Sequence, residues 1–81
     1  MIQLRVLVSL KTSVFDPQGR TTLAALHGLG YNAATDLRQG KSFLLNFEGI
    51  TEEEATKQAE EMATRVLSNP VIESFKIERV A

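Results

Sequence analysis

The chain contains no cysteine and no tryptophan, and only one histidine and two prolines. Without cysteine there is no disulfide and no thiolate metal site, and nothing points to an oxidising compartment. A single histidine builds a metal site only if carboxylates are arranged around it. Neither charge is in surplus, since nine basic residues stand against ten acidic ones. That balance leaves no electrostatic footprint for nucleic acid or for an anionic membrane. No apolar run is long enough to span a bilayer, and the first residues alternate instead of forming a signal-peptide core. The expectation is a cytoplasmic protein. With 81 residues the chain is expected to make one small domain, 1–81. A domain of this size buries only about 60–65% of its extended-chain surface, so self-association would help to stabilise it.

What is present begins with alternation. Ile2, Leu4, Val6, Val8 and Leu10 share one face of a strand, and Gln3, Arg5, Ser9 and Lys11 share the other. Leu7 interrupts the polar face. A first helix is expected from Pro17 to about Leu29, with Leu23 and Leu26 on its apolar stripe and Gly28 and Gly30 at its end. Residues 33 to 48 read as a hairpin turning at Gln39-Gly40, because Gly supplies positive φ without strain. Its first strand would carry Ala33, Thr35 and Leu37 on one face, and its second Phe43, Leu45 and Phe47. Leu44 lies opposite the phenylalanines and, with Leu7, marks a candidate oligomer contact.

Thr51 and Glu54 form a capping box for a second helix, and Ile50 with Ala55 can form its hydrophobic staple. The expected buried stripe is Ala55, Ala59, Met62, Ala63 and Val66. Pro70 stops this helix, and a last strand follows from about Val71 to Val80. The order strand, helix, strand, strand, helix, strand predicts an α+β two-layer sandwich. It is the ferredoxin-like βαββαβ arrangement, a four-stranded antiparallel sheet with two helices on one face.

The stretch from Lys11 to Thr22 organises the rest. Asp16-Pro17 is a helix start: the carboxylate can accept from free backbone N–H groups, and proline fits the first helical position. Gly19 in the first turn costs helix stability, so something there requires bare backbone: a ligand, a partner chain or the close packing of another element.

No self-contained active site is legible. His27 falls beside an apolar stripe, the glycines form no phosphate loop, and no nucleophile has a base at a recognisable spacing. RNA-binding domains of this fold need aromatics on their central strands, and the first strand here has none. The residues by themselves describe a small interaction module.

Several segments resemble a known family. Val8-Ser9-Leu10-Lys11, Val14, Asp16-Pro17-Gln18-Gly19 and Ala25-Leu26-His27 are similar to the small S subunit of phosphoribosylformylglycinamidine synthase. So are Asp36-Leu37-Arg38-Gln39-Gly40-Lys41 and Leu67-Ser68-Asn69-Pro70-Val71-Ile72-Glu73, in the same order and spacing. Leu37 and Phe75 depart from it where the family often has Val and Tyr. The resemblance implies a non-catalytic adaptor in an ATP- and glutamine-dependent ligase of purine biosynthesis. Such an adaptor would bridge a glutaminase subunit, which releases ammonia, and a synthetase subunit, which adds it to the formylglycinamide ribonucleotide. It implies a homodimer that can pair into larger assemblies, and no cofactor on this chain, ATP and Mg being used by the synthetase. Lys11, Asp16, Gln18, Arg38 and Lys41 are then the candidate partner contacts, as polar residues at element ends outside the apolar stripes. The alternative is a free-standing ferredoxin-like regulatory domain that binds a small metabolite.

Overall fold

A computed structural model describes residues 1–81. The first strand, β1, spans Ile2–Leu10 and is followed by helix α1, Pro17–Gly28. The next strand, β2, spans Gly40–Phe47 and leads into helix α2, Glu52–Met62. A five-residue π-helical turn, Ala63–Leu67, extends α2, and strand β3, Glu73–Arg79, closes the chain.

The sheet has three strands, in the order β2-β1-β3, and both pairings are antiparallel. This corrects the expected four-stranded ferredoxin-like sheet. Residues 34–39 lead into β2 without a turn or bend but pair with no strand, because the chain does not reverse at Gln39-Gly40. Gly40 lacks positive φ; only Gly30 and Gly49 have it. Gly40 serves a different purpose, since a Cβ there would stand 2.4 Å from the Val8 carbonyl oxygen. The glycine allows the two backbones to approach where β2 begins.

Alternation in β1 sorts its side chains as expected. Leu4, Val6 and Val8 are buried, and Val6 lies between Phe43 on β2 and Ile77 on β3. Above them pass three alanines of one helical stripe, Ala55, Ala59 and Ala63, none with any exposed surface. Small side chains bring the helix axis close to the sheet, and the larger Leu4, Val6 and Val8 fill the remaining space. Met62 and Val66 do not join this stripe. The π turn winds the helix more slowly, so Val66 swings out to 79% exposure and Leu67 takes its place against the core. The last strand starts at Glu73 and leaves Val71 exposed.

On the opposite face of the sheet, Leu7 lies between Ser42 and Lys76, and Leu44 lies beside Arg5. Arg5 bonds Glu78 at 3.2 Å and Gln3 bonds Asn46 at 3.0 Å, so both leucines sit in a polar lattice.

Helix α1 does not pack over the sheet as α2 does, and Gly19 is its one buried residue. Together α1 and residues 29–39 form an arm. The molecule is correspondingly long and flat, with principal extents of 49 × 27 × 14 Å. Its radius of gyration is 15.9 Å, against about 12 Å for a compact chain of this length.

The alanine stripe gives a direct check. Ala59→Leu should lift α2 from β1 and destabilise the domain by about 1–3 kcal/mol, read from the midpoint of urea unfolding.

Candidate interaction corner

The corner between β1 and α1 is built around Asp16, which is 4% exposed. Its backbone is extended, with φ −113° and ψ 92°, so its side chain can turn back over the start of the helix. Oδ1 accepts from the Gly19 N–H at 2.9 Å, satisfying one of the free donors of the first turn. Oδ2 accepts from the Gln39 N–H at 2.8 Å, and so ties the far end of the arm to the start of α1. These hydrogen bonds, Gln39's first and Gly19's second, favour the ionised carboxylate and lower its pKa below the usual value. Burial opposes the shift, and Arg38 adds a smaller attraction.

Gly19 is needed because the arm passes over it. A Cβ there would lie 2.4 Å from the Leu37 carbonyl oxygen and 2.6 Å from Asp16 Oδ2. Of the three demands for bare backbone at this position, close packing of another element is the one in force.

Arg38 completes the corner from the other side. Its Nη2 donates to the Lys11 carbonyl at 3.0 Å and to the Val14 carbonyl at 2.7 Å, fixing the loop between β1 and α1. Along the arm, the Thr22 hydroxyl lies 2.9 Å from Gln39 Oε1. His27 Nε2 lies 2.7 Å from the Ala34 carbonyl oxygen. A carbonyl can only accept, so His27 carries its proton on Nε2 and braces the arm.

The five sequence-predicted partner contacts thus gather at one end of the molecule. Lys11 and Gln18 are exposed there, and Asp16 is buried with both oxygens bonded internally. Arg38 spans the corner. Lys41 reaches across to β3, donating to the Leu67 carbonyl at 3.2 Å and pairing with Glu73 at 3.6 Å. A shallow cleft of about 280 Å³ lies between them, walled by Asp16, Gln18, Gln39, Lys41 and Glu73, with Leu10 its only apolar residue. Small-molecule sites bury most of the ligand against largely apolar walls. This cleft has none to offer. Nor do three His, Asp or Glu side chains come together in a way that would hold a metal ion.

Sequence reading missed Arg38 as a brace and Gly40 as a point of backbone contact. The first has no local signature, because its acceptors are main-chain carbonyls more than twenty residues away. The second was masked by a turn signal of the same composition.

The arrangement defines a class of domain: a thin sheet-and-helix body with a polar corner and a projecting arm. Comparison with known proteins makes the assignment specific. The family model for phosphoribosylformylglycinamidine (FGAM) synthase, PurS, matches residues 3–81. The PurS subunit of Bacillus subtilis is 40% identical over 78 residues, covering 96% of this chain and 92% of its own length. That of Methanocaldococcus jannaschii is 36% identical, covering 95% and 93%. A crystal structure of Bacillus subtilis PurS superposes with a TM-score of 0.87 at 38% identity over the whole of both chains. A chain of the PurLQS structure from Thermotoga maritima reaches 0.89 at 26% identity, covering 98% and 96%. The chain belongs to the PurS family of phosphoribosylformylglycinamidine synthase subunits.

Two outcomes test the corner. Gly19→Ala should destabilise the domain by about 1–3 kcal/mol, because the Leu37 carbonyl is main chain and cannot step aside cheaply. The lowered pKa of Asp16 means that its contribution is fully present above the unfolded carboxylate pKa and is lost as pH falls through the lower folded value. Asp16→Asn should therefore reduce stability at neutral pH and flatten its decline as pH falls below the ordinary carboxylate value, measured by thermal unfolding over an acid pH series.

Proposed function

We infer that this chain is the adaptor subunit of a phosphoribosylformylglycinamidine synthase complex, holding a glutaminase and a synthetase subunit in register while ammonia passes between them. The observation that carries this reading is the full-length superposition on a chain of the Thermotoga maritima PurLQS structure. Ammonia is mostly protonated at neutral pH and is then a poor nucleophile. An interface that keeps it neutral and confined raises its effective concentration at the activated amide. Such a role asks for rigid geometry and rim contacts instead of catalytic groups. ATP and Mg serve the synthetase partner, and the assembly works in the cytoplasm. No helix here is long and apolar enough to cross a membrane.

The exposed Lys11 and Gln18, together with the free donors of Arg38 and Lys41, form the partner-facing rim, and Asp16 holds that rim in shape. A second copy of the chain covers the arm. Support comes from the backbone: Thr35, Asp36, Leu37 and Arg38 make no N–H or C=O hydrogen bond within the chain. The outer edge of β2 is equally unpaired, because β2 is an edge strand. An extended segment beside an open edge is a template for strand addition between molecules. Leu7 and Leu44, on the far face of the sheet, offer a second apolar seam on which dimers pair.

Synthesis by the two partner subunits should depend on this chain when glutamine is the nitrogen source and become independent of it at high ammonia. Indifference under both conditions would remove the adaptor role.

A further inference from the structure

The corner that anchors the arm also sets where the arm can go; this step rests on the reading that a second copy covers it. A chain with this element order has two ways to pair the backbone of residues 34–39. In the first, the chain reverses at Gln39-Gly40, the arm folds back along the outer edge of its own β2, and α1 comes to lie over Phe43 and Leu45. That is a closed, four-stranded monomer. In the second, the chain runs straight through Gln39 and Gly40, and the arm reaches the open edge of another molecule. Exchange of identical elements between copies is governed by such hinges.

Contacts on both sides of the reversal point favour the second path. Arg38 Nη2 holds the carbonyls of Lys11 and Val14 at 3.0 and 2.7 Å. The Gln39 N–H is held by Asp16 Oδ2 at 2.8 Å. The Leu37 carbonyl sits over Gly19, and Gly40 sits against the Val8 carbonyl, each at a distance that no Cβ could occupy. A two-residue reversal would require positive φ at Gln39, and in the type I′ form at Gly40 as well, and neither residue has it. It would also withdraw the Gln39 amide from Asp16 and the guanidinium from both carbonyls. These hydrogen bonds involve ionised groups and are stronger than neutral ones.

We propose that Asp16 and Arg38 form a clasp that locks the hinge at Gln39-Gly40 open, committing the arm to a second copy and excluding the closed monomer. The clasp is a positioning device: it touches no partner at the seam and acts by fixing the direction in which residues 34–39 leave the body. It also gives the Asp-Pro-Gln-Gly and Leu-Arg-Gln-Gly segments a common purpose, since each supplies half of one lock.

Sedimentation equilibrium on the full chain, with small-angle scattering of each species, tests this. The unaltered chain should associate at micromolar concentration. Arg38→Ala should raise the dimer dissociation constant by roughly tenfold or more, the loss of a charge-assisted hydrogen bond. It should release a monomer more compact than 15.9 Å in radius of gyration, with far-UV dichroism preserved. Arg38→Lys, which keeps the charge and one donor direction, should fall between. Asp16→Ala gives an independent second variant with the same expectation. Unaltered dissociation constants in both alanine variants would overturn the clasp. Loss of folding in both would overturn it too, because the contacts would then hold the domain together instead of steering the arm. An unaltered chain that stays monomeric at every concentration is a separate failure, of the second copy itself.

Discussion

One carboxylate carries two obligations in this fold. Asp16 caps α1 through Gly19 and grips the main chain at Gln39, which joins the beginning of the arm to its end. Everything between, the helix and the turn that follows it, is thereby closed into a loop whose two ends meet at one buried side chain. Removing water from a carboxylate is costly unless its oxygens find donors, and here the donors are two backbone amides that would otherwise lack partners. The need is mutual. Two neighbours complete the site: Gly19 leaves room for the arm to pass, and Arg38 closes the other side.

The body of the molecule obeys a simpler constraint. A single helix covers a three-stranded sheet, and it can do so closely because its buried face is made of alanine. The π turn at Ala63–Leu67 then changes the phase of the helix and delivers Leu67 in place of Val66. With one helix on the sheet, the apolar face beneath Phe43 and Leu45 stays only half covered. The arm does not lie over it, and its far end is tied to the Asp16 corner. Rigid corner and incomplete core are two sides of the same arrangement.

Much of this was legible in the residues. The alternation of β1, the Asp16 cap, the Thr51 cap and the stop at Pro70 each rest on local rules, and local rules held. Thr51 accepts from the Glu54 N–H at 3.2 Å, which is the N-cap half of the expected capping box. The fourth strand failed because strandedness is not a local property. Residues 33–38 have the pattern of a strand, and 34–38 run on without a turn, but a strand exists only when another pairs with it. Gln39-Gly40 misled for a related reason, since glycine serves both turns and close approaches, and composition does not separate them. Of the five partner-contact candidates, the sequence could place Asp16 at a cap, but the tie to Gln39 and the reach of Arg38 join residues more than twenty positions apart.

The flatness of the molecule has a consequence for traffic. At 14 Å in its shortest dimension, the body is one sheet and one helix deep, and the side chains between them are the buried core itself. Such a slab has no room for a conduit bored through it. It can serve only as a wall. On the adaptor reading proposed above, a small molecule handed past this subunit would travel along its surface, in a passage whose opposite side another chain supplies, sealed when the assembly closes and open to bulk water when it comes apart.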